Sequence, residues 1–473
     1  MPYQENIAAS ILQEVTSQQA WHYQAVPFYC DAERMKFYVP EERATEMLRE
    51  ELELLFGRQV EFQAAPAEEL RRMLGRYYRK GREGQLSGLQ LGKDFLDGLI
   101  EEARNLGSSD IHMEPYEEVC RVRFRVDGVL LEKYQLPKSD YPGLANQVKI
   151  KAQLDIAEKR LPQDGRIFFS DGGEQFDIRV STLPTLHGEK IVMRLLSSSD
   201  ADVDIRSLGF RDKELEFYLE GVNRPNGMVL ISGPTGSGKT TTLYATLRIL
   251  NEPSRNILTI EDPIEYTLEG VNQVQLKESI GLNYASAIRT FLRQDPDAVM
   301  VGEIRDMETA AMAVRASLTG HMVLSTIHTN WAWGIVARLL DMGVPPYLLA
   351  DTLNTAVAQR LLRLLCPDCK VEKPLDVSLY PRNYRPPRQL GSFWDAVGCE
   401  ACHYSGYRGR TAVYEVIPID GQLSDMIKNK NLKVEGLLCE KGFRSLADGA
   451  FLLLEEGKTS LREAYPLFYG RAF

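Results

Sequence analysis

No stretch of the 473-residue chain reaches the roughly 18 uninterrupted apolar residues that a membrane-crossing helix needs. The opening residues, Met1-Pro-Tyr-Gln-Glu-Asn6, lack a basic segment followed by an apolar one, so no secretory leader is expected. Excess positive charge is missing too. With 56 Lys and Arg against 66 Asp and Glu the net charge is −10, which counts against a large nucleic-acid footprint, because phosphate backbones bind basic surfaces. Cysteine is scarce and odd in number. Of the seven, Cys30, Cys120 and Cys439 stand alone and the other four fall into two Cys-x-x-Cys pairs, so they cannot all form disulfides. This usage points to a reduced compartment and a bound metal. The expected location is therefore the cytoplasm, with membranes touched only through partners. The remaining composition, 44% hydrophobic and 26% charged, is that of a globular protein long enough for about three domains.

Met228-Val-Leu-Ile-Ser, Gly233-Pro-Thr-Gly-Ser-Gly-Lys-Thr240 and Thr241 to Leu250 read as strand, phosphate loop and helix. Gly233 and Gly238 let the loop double back through Pro234, and the backbone N–H groups of Thr235, Gly236, Ser237 and their neighbours then point inward near the positive end of the helix. Such a cradle takes the phosphates of ATP. Lys239 is placed to reach the β and γ phosphates, and Thr240, followed by Thr241, offers a hydroxyl to the accompanying Mg²⁺.

The chain divides around this motif. Residues 1–82 read as a small α+β module: Ala44 to Phe56 has an amphipathic helical period stopped by Gly57, Gln59 onward alternates as a strand, and Pro66 opens another helix. A polar, Gly-rich stretch from Lys80 to Gly88 reads as a linker. Residues 88–200 carry a helix near Phe95–Leu106 and strands with period-two alternation, giving a sheet with one polar face. There Arg121, Arg123 and Arg125 share a face, either as solvated cations or as a binding patch. Arg166 and Arg179 form a second group of cations in turns and strands. Residues 201–473 form the nucleotide-binding domain.

Three further apolar strands in that domain end on functional residues. Ile257 to Ile260 leads to Glu261-Asp262, Asp297 to Val301 leads to Glu303-Ile-Arg305-Asp306, and Met322 to Ile327 leads to His328-Thr-Asn330. The carboxyl end of such strands is where open α/β sheets bind ligands. Phosphoryl transfer needs neutralised charge and an aligned water, so Glu303 is the preferred base, with Glu261 and Asp262 serving the metal through its waters. His328 either senses the γ phosphate or caps a loop. Arg289 and Arg293, four apart, fall on one helix face and are suited to phosphate or to a neighbouring subunit. The fold class is α/β, a parallel doubly wound sheet of the RecA-like P-loop kind.

Cys366, Cys369, Cys399 and Cys402 have the knuckle spacing of tetrahedral Zn²⁺. Four protein thiolates leave no open position, so the metal is expected to be structural and to staple an insertion over 362–412, ahead of carboxyl-terminal helices over 416–473. His403 is an alternative ligand.

In these motifs, together with Leu292-Arg-Gln-Asp-Pro before Glu303 and Ala316-Ser-Leu-Thr-Gly before His321, the chain resembles the secretion ATPases of the GspE/PilB branch. The similarity runs over roughly residues 90–420 and supplies the Walker A, Asp, Walker B and His boxes in order. The resemblance implies a PAS-like sheet domain before the RecA-like one, and a cytoplasmic homohexamer at the inner face of the membrane whose domains rotate during hydrolysis. It implies that the motor works through an inner-membrane platform protein to assemble a pilus or pseudopilus, with no direct nucleic-acid contact. It also implies that Arg166, Arg179, Arg289 and Arg293 reach toward nucleotide, that Glu303 is the catalytic carboxylate, and that the tetracysteine segment separates the chain from pilus-retraction motors. Trp331-Ala-Trp333 departs from the family pattern, which has Asp-Ala after the His box; the indoles either alter a subunit contact or pack in the core. A nucleic-acid translocase and a nucleotide-gated scaffold with little hydrolysis are the other readings of the same core.

Overall fold

The computed structural model describes residue 7 and residues 9–78, 95–196 and 203–469, apart from positions 13, 16, 32, 172–173, 376 and 383. The stretch read as a linker near residues 80–88 lies outside the described residues. Among the described residues, no helix is long and apolar enough to cross a membrane.

The amino-terminal module is a three-stranded sheet of β1 (Val26–Cys30), β2 (Arg34–Pro40) and β3 (Gln59–Ala65). β2 and β3 run parallel, which requires a crossover, and the helix Glu46–Phe56 supplies it. Its ends follow from local chemistry: the Thr45 hydroxyl accepts from the Leu48 N–H, and Gly57 stops it in the left-handed conformation at φ 65°. The next helix, Ala67–Tyr77, carries Gly75 in its interior, where glycine is normally unfavourable. A Cβ there would come within 2.6 Å of the Tyr404 ring, so this glycine admits the ring of the cysteine-bearing segment.

The second sheet has the strands β4 (Ser108–Pro115), β5 (Val119–Val126), β6 (Val129–Pro137), β7 (Gln163–Asp171), β8 (Glu174–Thr185) and β9 (Gly188–Leu196). Their order is β6-β5-β4-β9-β8-β7, antiparallel throughout. Residues of the helices Phe95–Asn105 and Tyr141–Lys151 share one core with Ile111, Val122, Phe124 and Ile178 of the sheet. The three arginines of β5 are tied within the sheet. Arg121 and Arg123 reach Glu114 at 3.2 and 2.7 Å and Arg125 reaches Asp110 at 3.3 Å. Burial opposes charge on Glu114, yet Arg123 and Lys190 hold its pKa down to about 2.

The third sheet organises the rest. It contains β10 (Gly227–Ser232), β11 (Ile257–Glu261), β12 (Asn272–Gln275), β13 (Ala298–Val301), β14 (Met322–Ile327), β15 (Leu353–Leu365) and β18 (Tyr407–Pro418), in the order β12-β11-β13-β14-β10-β15-β18. The first six are parallel, as expected, and β10, β13 and β14 are buried along their whole length, as doubly covered strands must be. The last strand is antiparallel to β15. The segment expected over 362–412 leaves and re-enters through these two long strands, so its ends are ladder residues of the sheet; between them lies the short hairpin of β16 (Val371–Pro374) and β17 (Ser392–Asp395).

Trp333 is fully buried in the main core beside Ile335 and Val336, so of the two readings for the indoles the core reading holds for this one. Replacing Trp333 by Ala removes a large buried ring, and the transition of the nucleotide-binding domain in a urea titration is expected to lose about 3–5 kcal/mol.

Candidate nucleotide site

β10 ends at Ser232 and the phosphate loop follows. Gly233, at φ 154°, is the tightest position: a Cβ there would lie 2.6 Å from the Gln359 carbonyl oxygen on β15 and 2.6 Å from Ser237 Oγ. The loop can therefore press against the neighbouring strand only as glycine. Gly238 caps the helix Lys239–Leu250 at φ 85°. Lys239 Nζ donates to the loop's own carbonyls, at 2.8 Å to Gly233 and 3.1 Å to Pro234. Burial lowers the Lys239 pKa, and Glu303 works in the opposite direction. Thr240 is exposed on the first turn of the helix. The rest of that helix is pinned from below, with Thr242 Oγ1 3.0 Å from both Gln359 Oε1 and the Tyr414 hydroxyl.

The strand order puts the ends of β13 and β14 beside the loop, because β14 lies between β13 and β10. Glu303, mostly buried, follows β13 and receives Arg305; His328, half exposed, follows β14 with Nε2 3.4 Å from Glu303 Oε2. Lys239, Glu303 and His328 thus converge from three elements. Glu261 is turned inward. Its carboxylate accepts from the hydroxyl of Tyr244 on the loop's helix, from Thr259 Oγ1 at 2.5 Å and from Gln273 Nε2 at 3.1 Å. In this arrangement it ties β11 and β12 to that helix, while the neighbouring Asp262 is exposed.

Arg179, Arg289 and Arg293 make their bonds outside the loop. Arg166 is exposed opposite Arg179 on the β7/β8 pair. Arg179 crosses to the nucleotide-binding domain, donating to the Ile264 carbonyl and pairing with Glu265 at 3.4 Å. Arg289 pairs with Glu308 at 3.3 Å. The helix carrying it stops at Phe291, so Arg293 lies past its end, donating to the Arg289 carbonyl at 2.9 Å. The shared helix face expected for Arg289 and Arg293 is therefore replaced by a contact across the helix terminus.

Two charged residues escaped the reading of the sequence. Arg360 on β15 and Glu415 on β18 flank the loop after β14, Arg360 through Asn330 and Glu415 through Ala332. For Glu415 the signal was present, a lone charge within the run Ala412–Pro418; Arg360 shares the run Leu353–Leu365 with Arg363 and did not stand out.

The sulfurs of Cys366, Cys369, Cys399 and Cys402 lie within 4.8 Å of one another, and three pairs stand at 3.8 Å. Four sulfurs about 2.3 Å from a tetrahedral zinc are separated by about 3.8 Å, so the geometry fits that ion. The N–H groups of Gly398, Cys399 and Gly406 donate to these sulfurs at 3.1–3.3 Å, which favours thiolates.

The sequence pattern of the family described as "Type II/IV secretion system protein" matches residues 86–465. The chain belongs to this family of secretion ATPases. It is 49% identical over 372 residues to "Type IV pilus assembly ATPase PilB" of Myxococcus xanthus, covering 76% of this chain and 66% of that protein. It is 44% identical over 374 residues to "Type II secretion system protein E" of Aeromonas hydrophila, covering 78% and 74%. Among solved structures, the pilus retraction motor PilT with bound ADP is similar at 26% identity, with a TM-score of 0.54 over 78% of this chain and 95% of that one. The Legionella pneumophila ATPase DotB shares the fold at 23% identity, with a TM-score of 0.62 over 81% and 97%.

Two outcomes are expected. Metal analysis of the purified chain finds zinc near one equivalent, and Cys402→Ser loses it and lowers the melting temperature by about 5 °C or more. Glu415 is buried, which raises its pKa to about 7 against an ordinary 4.5. Its carboxyl is therefore protonated more readily folded than unfolded, and its contribution to stability falls as pH rises from about 4.5 to 7. Stability measured across that window is expected to decline less in Glu415→Gln than in wild type, by up to about 3 kcal/mol.

Proposed function

We propose that this chain is the ATPase motor of a type II secretion or type IV pilus assembly system. The observation that carries the reading is the convergence of Lys239 on the phosphate loop with the Glu303–His328 pair, from three neighbouring elements of one sheet. The names of the relatives, type II secretion system protein E and type IV pilus assembly ATPase PilB, supply the biological setting.

The loop amides of residues 233–240 bind the phosphates of ATP, and Lys239 leaves its own loop carbonyls for the β and γ oxygens. Thr240 would hold the Mg²⁺ that neutralises charge on the transferring phosphoryl group. Glu303 orients the attacking water and takes its proton, and His328, beside it, is placed to hydrogen-bond the departing γ phosphate. Glu261 keeps the loop's helix in register with β11. Arg305 and His328 hold the Glu303 carboxylate in place.

In the working enzyme six chains form a ring. Arg166, Arg179, Arg289 and Arg293 would serve a nucleotide through rotation of the sheet domain or from a neighbouring subunit, and the Arg179–Glu265 contact is the joint that such a rotation breaks. Zinc at Cys366, Cys369, Cys399 and Cys402 would stiffen the segment between β15 and β18, toward the other edge of the sheet from this joint. The motor acts at the cytoplasmic face of the inner membrane through a platform protein and has no direct contact with nucleic acid.

The test is Mg²⁺-ATPase rate against protein concentration, with Glu303→Gln and with added duplex or single-stranded DNA. A motor of this kind gives a per-subunit rate that rises with concentration, ignores DNA and falls by about 10²-fold or more in Glu303→Gln. Stimulation by DNA would favour a translocase. ATP binding without turnover in the presence of the platform's cytoplasmic domain would favour a scaffold.

A further inference from the structure

The loop after β14 carries His328, and it is fastened from two sides by charged residues outside the four family boxes. On one side the Arg360 guanidinium forks: Nη1 donates to the Gln359 carbonyl and Nη2 to the Asn330 carbonyl, both at 2.9 Å. The Gln359 carbonyl is the group against which Gly233 packs, so a single planar cation touches both the strand that supports the phosphate loop and the loop that bears His328. On the other side both Glu415 oxygens accept backbone N–H groups, Oε1 from Ala332 at 2.7 Å and Oε2 from Leu446 at 3.3 Å.

β15 and β18 are paired with Ala358 opposite Glu415 and Arg360 opposite Val413. Arg360 and Glu415 thus sit diagonally on the same face of the sheet, within each other's electrostatic reach. Glu415 is only 1% exposed. A carboxylate buried in an apolar strand is costly, and an apolar side chain of similar volume would pack there at least as favourably. What the carboxylate adds is direction: two acceptors that fix Ala332 relative to the start of the helix Leu446–Glu455. Trp333, the next residue, is locked in the core, so the loop is held at Asn330, at Ala332 and at Trp333. Its remaining freedom is at His328 and Thr329, and Thr329 Oγ1 is itself bonded to the Trp331 carbonyl at 2.9 Å.

We propose that Arg360 and Glu415 are positioning residues for hydrolysis, clamping the loop after β14 so that His328 stands against Glu303. The inference rests on the reading that Glu303 and His328 serve ATP hydrolysis, and it adds the two residues that set their geometry. It also gives the clamp a direction of action. A shift of the phosphate loop moves the Gln359 carbonyl, Arg360 follows, and Asn330 is carried with it, so occupation of the loop is relayed to His328 through one guanidinium.

The experiment is a double-mutant cycle on the full-length chain under the conditions of its highest ATPase rate. Glu415→Gln keeps the shape but turns an amide N–H toward one of the two backbone donors. It is expected to lower kcat about tenfold with KM for ATP within about twofold, since the phosphate cradle is untouched. In a His328→Ala background the same change is expected to cost less than about twofold, because the geometry it sets no longer matters. Arg360→Lys is expected to retain more activity than Arg360→Ala, and its loss is also expected to shrink in the His328→Ala background. Equal losses from Glu415→Gln with and without His328, or a rise in KM matching the loss in kcat, would overturn the clamp. If Glu415→Gln does not fold, the Arg360→Lys and His328→Ala pair completes the same cycle. The two readings fail differently. Glu303→Gln at the wild-type rate removes the hydrolytic assignment itself, whereas an inactive Glu303→Gln with an additive cycle removes only the clamp.

Discussion

The close approach of Gly233 to the Gln359 carbonyl is the constraint on which the rest of the nucleotide-binding domain depends. It sets how far β10 stands from β15, and therefore where the helix behind the phosphate loop begins. Thr242 on that helix is tied in turn to Gln359 and Tyr414, so β15 and β18 act as the anvil beneath the loop. Strand order places β13 and β14 on the other side of β10. The loop is thus held between a rigid wall and two strand ends that present Glu303 and His328.

Charge buried around that frame is consistently directional. Glu261 fastens the loop's helix to β11 through Tyr244, Glu415 fastens the turn before Trp333 to the carboxyl-terminal helices, and Arg360 joins the loop after β14 to β15. None of these groups adds much stability, because desolvation offsets most of what pairing returns. Their effect is to fix angles that apolar packing leaves free.

The modules meet through a few polar and close-packed contacts. Arg179 reaches Glu265, Asp127 accepts the Gly409 N–H at 2.9 Å, and Gly75 receives the ring of Tyr404. Two of these three contacts fall in the 399–409 stretch around and after the second cysteine pair. Left-handed backbone at His403 and Tyr404, φ 50° and 60°, turns the Tyr404 ring outward from the cysteine cluster. The cluster therefore orders a segment against which both amino-terminal modules rest, as well as its own hairpin.

Features whose physics is local were legible in the amino-acid order. The phosphate loop, the cysteine knuckles, the helix from Glu46 to the stop at Gly57 and the parallel apolar strands each follow from spacing, period or a single residue's conformational range. Glu303 and His328 were legible one at a time, as strand ends. That they meet depends on β13 and β14 being neighbours, which long-range pairing decides. The inward turn of Glu261, the capture of Arg179 by Glu265 and the burial of Trp333 depend on what stands opposite each side chain. The antiparallel closure by β18, and with it the diagonal of Arg360 and Glu415, was hidden because the cysteine segment separates the two strands along the chain. Sequence determined which chemistry this protein carries, because a phosphate cradle and a metal knuckle are built from consecutive residues. Only the tertiary structure decided which charges face one another, because a guanidinium or a carboxylate takes its partner from whichever strand packs beside it.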